Sequence, residues 1–316
     1  MKNRVLFIIL LFNLSLFAQN NQTKIFTSDI DNFWVAYDSV LKTKDKSLQI
    51  RIVQELYLDK ATEGLKEFMI SREHTAQRHL INILSYSKFW KSLRPKTIEI
   101  ASYKKEIEIV MSRFQKLYPN FKQPEVYFTI GCLNSGGTTT ENKILIGAEI
   151  ACSDKNVDAS ELGNWLQGVF LHNINVVYLV AHESVHTQQR VLNEGYTNLL
   201  FASIYEGSCD LIAELLLDKE IPSPYMTYGR TNEKTLWNKF KQEMYGDSLS
   251  DWLYNGEEAP NGVADLGYYM GYEISKSYYQ NSINKEKALK EIIEVENNKE
   301  FILEFFKKSG YAKKWD

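Results

Sequence analysis

Two of the five histidines in this 316-residue chain, His182 and His186, stand four residues apart, and an acid, Glu183, directly follows the first. On a helix, residues four apart share a face one turn up. Both rings then address one point, as two ligands of a single zinc ion must. Glu183 lies beside the metal rather than on it, where it can take a proton from metal-bound water. Five histidines and ordinary glutamate usage produce H-E-x-x-H by chance in such a chain with a probability on the order of 1%. Many such matches are solvated helix faces, so the pentapeptide needs support from elsewhere.

That support comes in "SIYEGSCDLIAEL", residues 203–215, which puts Glu206 twenty residues after His186 and Asp210 one helical turn further on. Catalytic zinc commonly takes three protein ligands and leaves a fourth position open. Glu206 can be the third ligand. Asp210 can accept the outer N–H of a ligand histidine, His182 in the first instance, and fix its tautomer. Two further preset positions lower the chance estimate by roughly another hundredfold. Phe201, Ile204, Leu211 and Ile212 surround both acids, which argues against a solvated face.

H-E-x-x-H followed at this spacing by E-x-x-x-D resembles the gluzincin metallopeptidases, of which thermolysin is the familiar member. The resemblance implies one Zn2+ per chain on His182, His186 and Glu206, with Glu183 as general base and Asp210 behind the ligands. More closely, the chain resembles a family of predicted zinc-dependent proteases related to a gliding-motility lipoprotein. That likeness rests on "NFWVAYD", "KFWKSLRP", "LYPNF", "SGGTTTENKILIGAEI", the two zinc helices and "WLYNG…GYYMGYEISKSYY", which together cover most of the mature chain. It implies a zincin-like core and an edge strand, "GGTTTENKILIGAEI", that pairs with extended peptide. Gly137 and Thr138 are then substrate-binding candidates, although the glycines there can equally make a turn. Thermolysin-like enzymes also use a histidine downstream of the zinc helices to stabilise the oxyanion, and here none follows His186. Tyrosine or arginine can donate instead. Tyr268 and Tyr272 share a helix face and are the first candidates, with Arg190 and Arg230 behind them, while Gly267 and Gly271 on the adjoining face suggest close helix packing. Aromatics at this spacing are also ordinary core residues. Cys209, three residues past Glu206, reads as a small buried packing residue, and His172 as a residue that caps or packs near the start of the histidine helix.

The elements that must carry these residues follow from periodicity. Ile30, Phe33, Trp34, Tyr37, Val40 and Leu41 recur at helical spacing after Ser28, which is placed to cap. Similar patterns run through Ile50–Phe68, His79–Trp90 and, after Arg94-Pro95, about Thr97–Leu117. His74 and His79 fall in this helical third and read as solvated or core histidines. From Pro124 the character changes. Val126–Ile130 and Ile144–Ile150 read as two strands joined by "NSGGTTTENK", with Ile144-Leu145-Ile146 covered on both faces. Cys132 and Cys152 flank this hairpin and can pair in an oxidising compartment or stay free. Helices then carry the histidines and Asn198–Leu217, and follow at Thr231–Tyr245, Ala264–Tyr279 and Glu286–Lys308.

The expected fold class is α+β, mostly α: a single zincin-like domain over 20–316, with a helical N-terminal lobe (20–122) and a metallopeptidase core with a small sheet (123–316). Lys2 and Arg4 precede an apolar run from Val5 to Phe17, too short for a bilayer helix of about 20 residues, and residues 1–19 read as a signal peptide. No cysteine follows that run to take a lipid. The expected location is periplasmic or secreted, without stable membrane insertion once the signal is cleaved. A formal net charge of −3 gives no electrostatic footprint for nucleic acid. The expected partner is a peptide or protein substrate, cleaved by a zinc metallopeptidase. The competing expectation is an envelope scaffold or assembly protein that keeps the zinc site with little or no turnover. The intact Glu183 favours the enzyme, and the missing histidine favours the scaffold.

Overall fold

In the computed structural model, which describes residues 22–172, 175–190, 194–260 and 262–315, the apolar stripe after Thr27 forms α1 (Ser28–Val40). Ile30, Phe33, Trp34, Tyr37 and Val40 are all buried. Ser28 is its first residue rather than its cap. The next two stretches each divide in two. Asp45 opens α2 (Lys46–Leu56), Thr62 opens α3 (Glu63–Ser71) and Thr75 opens α4 (Ala76–Ser85), each by accepting backbone N–H bonds of the first turn. Then come α5 (Ser87–Ile98) and α6 (Lys104–Leu117). Pro95 does not end α5, because it falls in the last turn, where the missing N–H removes a single bond. The proposed signal segment, residues 1–19, lies outside the described residues. Among the described residues no helix is long and apolar enough to cross a membrane.

The sheet corrects the hairpin expectation. Its strands are β1 (Ile25–Phe26), β2 (Glu125–Thr129), β3 (Gly137–Thr140) and β4 (Lys143–Gly147), in the order β1-β2-β4-β3. The two expected strands are neighbours, β2 and β4, but they run parallel, with Val126 opposite Ile144. The connecting stretch holds a strand of its own. β3 pairs antiparallel with β4 and forms the sheet edge, turning through Glu141, whose φ is 34°. Ile144, Leu145 and Ile146 are fully buried, as a strand covered on both faces requires. Ile150 belongs to a short helix, α7 (Ala148–Ala151), that ends the strand early. Cys132 and Cys152 are free thiols.

The remaining helices are α8 (Asn164–Leu171), α9 (Val176–His186), α10 (Leu199–Leu217), α11 (Pro224–Glu243), α12 (Leu266–Asn281), α13 (Lys285–Ile293) and α14 (Lys299–Ser309). The stretch read as one helix over Glu286–Lys308 is two, since the Asn298 side chain accepts the Phe301 N–H and starts α14 anew. The fold class is α+β and mostly helical. α9 packs against both α10 and the edge of the sheet, and α10 packs most closely on α12. That last crossing needs glycine. A methyl at Gly207 would overlap the Tyr272 backbone nitrogen, and one at Gly271 would overlap the Ser203 carbonyl.

Candidate metal centre

α9 is held almost entirely inside. The Asn175 side chain accepts the Tyr178 N–H to start it, and Val176, Val177, Val180, Ala181 and Val185 are buried along it. Full burial of a valine contributes about 1.5–3 kcal/mol, which helps offset the cost of burying the polar groups on the same helix. α10 begins the same way, with Asn198 accepting the Phe201 N–H. It carries Glu206 and Asp210 toward α9, and both are buried.

Three donor atoms converge between these helices. His182 Nε2 lies 3.2 Å from His186 Nε2, which lies 3.1 Å from Glu206 Oε2, and the third side of the triangle is 3.6 Å. Tetrahedral zinc with bonds of about 2.0–2.2 Å sets its ligands roughly 3.3–3.6 Å apart, so the donor set fits that ion. The outer ring nitrogens decide the tautomers. His182 Nδ1 donates to Asp210 Oδ1 at 2.8 Å, and His186 Nδ1 donates to Gln189 Oε1 at 2.6 Å. Gln189 is oriented for this by donating its own Nε2 to the Tyr205 carbonyl and Ser208 Oγ. With the protons outside, both Nε2 lone pairs face inward toward a carboxylate. Such a triangle repels itself until a cation or a proton enters it.

The electrostatics make the same demand. Burial alone would keep His182 neutral, but Asp210 and Glu206 reverse this and push its pKa up to about 10. Burial likewise works against charge on His186, and Glu206 raises its pKa nonetheless. Burial would raise Glu206, yet His186 and His182 hold its carboxyl well below the usual range. Burial pushes the Glu183 carboxyl up, against the pull of the two imidazoles. Asp210 is fully buried and also accepts from the Tyr178 hydroxyl at 2.6 Å and the Tyr225 hydroxyl at 3.0 Å.

The other expected residues divide. Gly137 on the edge strand β3 lies under Glu183, and a Cβ there would stand 2.5 Å from Glu183 Oε1. Thr138 follows it on the same strand, half-buried. Tyr268 faces the cluster, its ring stacked 6.0 Å from that of His182. Tyr272 does not, because its hydroxyl is engaged by the Glu214 carboxylate one turn beyond Asp210 and by Lys276. Arg190 pairs with Glu294 and Glu296, and Arg230 with Glu220, so neither is free to serve the site. Cys209 is buried against His186, its Sγ 3.5 Å from Nδ1 and within 4.8 Å of a ring nitrogen of His182 as well. His172 follows α8, with its Nδ1 2.9 Å from the Gly168 carbonyl.

Beyond the Tyr178 and Tyr225 hydroxyls on Asp210, two more neighbours escaped the reading of the sequence. Gln189 completes H-E-x-x-H-x-x-Q, a spacing that puts it one turn beyond His186. Tyr254 reaches Glu206 from a loop, donating its hydroxyl to Oε1 at 2.6 Å. Its backbone is left-handed, with φ 58°, and is fixed by the Asp265 carboxylate accepting the Tyr254 N–H. The only local signal for it was the Tyr-Asn-Gly turn in "WLYNG".

The sequence model of the family described as gliding motility protein GldB matches residues 18–313. The chain belongs to this family. The match takes in the N-terminal helices and both helices of the donor cluster together, and membership assigns a cell-envelope role. No curated protein and no solved structure matches the chain.

Proposed function

We propose that this chain is a zinc-binding protein of the cell envelope, serving gliding motility as a scaffold or assembly factor. Family membership supports the envelope role. The observation that carries the metal is the triangle of three inward-facing lone pairs from His182, His186 and Glu206, with both histidine protons turned outward. An ion shared by α9 and α10 fixes one helix against the other, and α10 in turn is locked on α12. The surface of that helical unit is what a partner in the envelope would meet.

One observation favours a second reading, peptide hydrolysis of the gluzincin kind. Glu183 is 7% exposed, next to the donors and against a strand edge that, among the described residues, has no neighbour beyond it in the sheet. Zinc supplies a Lewis acid able to polarise a carbonyl. On this reading Glu183 takes a proton at its carboxylate and passes it to the leaving amine, a task suited to an acid whose pKa burial has raised. The free edge of β3 offers backbone groups to an extended peptide substrate.

One comparison separates the readings. Purified wild type and Glu183→Gln are assayed for bound zinc and for cleavage of a denatured protein and a broad peptide library. Both proteins should bind zinc at about one ion through this triangle. Cleavage by wild type that is lost in Glu183→Gln establishes the hydrolase. Equal or absent cleavage with zinc retained favours the scaffold. Failure of both proteins to hold the ion under metal-replete conditions refutes the zinc centre itself.

A further inference from the structure

A second group of metal-ligating side chains lies in the N-terminal half, on elements that supply no donor to the first. His74 follows α3, His79 lies in α4, and Cys132 leaves the end of β2. All three are buried, at 4%, 1% and 7% exposure. One donor atom from each lies within 4.8 Å of the other two.

Hydrogen bonding leaves these atoms unanswered. His74 Nε2 donates to Asn134 Oδ1 at 3.2 Å, and Asn134 is oriented for this by donating its own Nδ2 to the Arg72 carbonyl. That tautomer leaves His74 Nδ1 as a bare lone pair. His74 Nδ1 has no partner and neither has His79 Nε2, although both are shut away from solvent. A buried polar atom without a partner typically costs about 1–3 kcal/mol. Here two such atoms belong to rings that each bring a nitrogen within 4.8 Å of the other and of the Cys132 thiol. Aromatic packing accounts for where the rings sit, His74 against Phe68 and His79 edge-on to Tyr57. It does not account for the nitrogens.

We propose that His74, His79 and Cys132 form a second zinc site, binding one Zn2+ through His74 Nδ1, His79 Nε2 and the Cys132 thiolate. Three points no more than 4.8 Å apart share a centre at most about 2.8 Å from each, so contraction by well under 1 Å reaches the ~2.0–2.3 Å of zinc–nitrogen and zinc–sulfur bonds. Two imidazoles and a thiolate are a donor set that suits zinc. Burial keeps both rings neutral, with pKa values lowered to about 4 for His74 and about 3 for His79, which is the ligand form. Burial and Glu149 hold the free thiol protonated, with its pKa raised to about 12. A bound cation reverses that preference. The thiol loses its proton to solvent as the metal–sulfur bond forms, so one proton is released per ion bound.

The position gives the site a consequence. Glu149 already holds the segment leaving β2, accepting the Gly131 and Leu133 N–H groups at 2.8 and 3.1 Å. An ion on Cys132 fastens that segment to the turn between α3 and α4. The same segment runs on into β3 and Gly137, under Glu183. The second ion therefore ties the N-terminal helices to the strand that borders the first centre.

The test uses sulfur as its signature, because the first triangle contains none. In a Cys152→Ser/Cys209→Ser chain, Cys132 is the sole cysteine. Cobalt titration of this protein should produce a thiolate-to-cobalt charge-transfer band in the near ultraviolet. Adding Cys132→Ser should abolish the band and lower zinc content by about one ion per chain. Adding His182→Ala instead should remove the other ion and leave the band, which separates failure here from failure of the first centre. If the chain lacking Cys132 does not fold, zinc-edge X-ray absorption of the sole-cysteine protein decides, with sulfur at about 2.3 Å expected. Absence of both the band and sulfur scattering, or a band that survives loss of Cys132, overturns the proposal.

Discussion

Asp210→Asn isolates what the buried acid does for the first metal centre. Asp210 is fully buried and accepts three hydrogen bonds, from His182 Nδ1 and Tyr178 at Oδ1 and from Tyr225 at Oδ2. Asparagine has the same shape. Its carbonyl oxygen can keep the first two bonds, and its NH2 can donate to Tyr225, whose hydroxyl turns to accept. The geometry survives, and the negative charge behind the imidazole goes. Removing such a partner typically weakens metal binding 10–100-fold, about 1.4–2.7 kcal/mol. Zinc affinity is read by competition with a chromophoric chelator, with Cys132→Ser introduced into both proteins so that only the first centre reports. Urea unfolding of the chelated proteins runs in parallel. A Kd within twofold of the reference refutes the account of Asp210. So does a loss of affinity matched by an equal loss of stability without metal, because that pattern assigns Asp210 to the fold rather than to His182.

Three further outcomes follow from other contacts. Tyr254→Phe deletes the hydroxyl on Glu206 Oε1. A hydrogen bond to a charged group is worth about 1.5–3 kcal/mol, so zinc should dissociate roughly tenfold or more faster in a stopped-flow chelator exchange if the bond strengthens on metal binding, and the urea midpoint of the metal-free protein, which holds the same bond, should fall as well. Gly207→Ala drives a methyl into the α12 backbone at Tyr272 and should cost about 3 kcal/mol in urea unfolding, since neither helix can yield locally. Glu149→Gln tests a pH effect. Burial raises the native Glu149 pKa to about 7, whereas the unfolded group titrates near 4.5. The native state thus holds the extra proton, and this stabilisation is complete below about 4.5 and is lost as pH rises through 7. Relative to Glu149→Gln, wild type measured with chelator should lose about 2 kcal/mol of unfolding free energy between pH 5 and 7.5. A flat difference refutes the buried-acid assignment.

The donor triangle was legible because it rests on local rules. His182 and His186 are one turn apart on α9, and Glu206 and Asp210 are one turn apart on α10, so each pair is fixed by helical geometry before any packing occurs. The spacing that brings the two helices together was supplied by the gluzincin resemblance, not by physics read from the chain. What stayed hidden depends on long-range contacts. Tyr254 reaches Glu206 only because a left-handed turn is clamped by Asp265, eleven residues away. The parallel pairing of β2 and β4 was hidden because a hairpin between two adjacent apolar runs is the simplest reading, and "GTTT" carries no alternation that marks β3 as a strand between them. His74 and His79 were read as solvated or core histidines and both are buried, but their unpartnered nitrogens and the nearness of Cys132 become visible only in three dimensions.

The two clusters bear on the choice between scaffold and hydrolase. Glu206 has both oxygens committed, Oε2 to the donor triangle and Oε1 to Tyr254, and the inward histidine nitrogens are fixed from behind by Asp210 and Gln189. Such an arrangement would hold a bound ion rigidly, which suits either reading. What turnover needs in addition is a donor for the oxyanion. Arg190, Arg230 and Tyr272 are engaged elsewhere and the Tyr178 and Tyr225 hydroxyls donate to Asp210, while Tyr268, Tyr254 and Tyr205 also lie against the cluster. Tyr254 can serve only by releasing Glu206. Tyr268→Phe therefore discriminates: a hydrolase relying on that hydroxyl should lose about 10²-fold or more in kcat while zinc content stays constant, and a scaffold should register no change in either measurement.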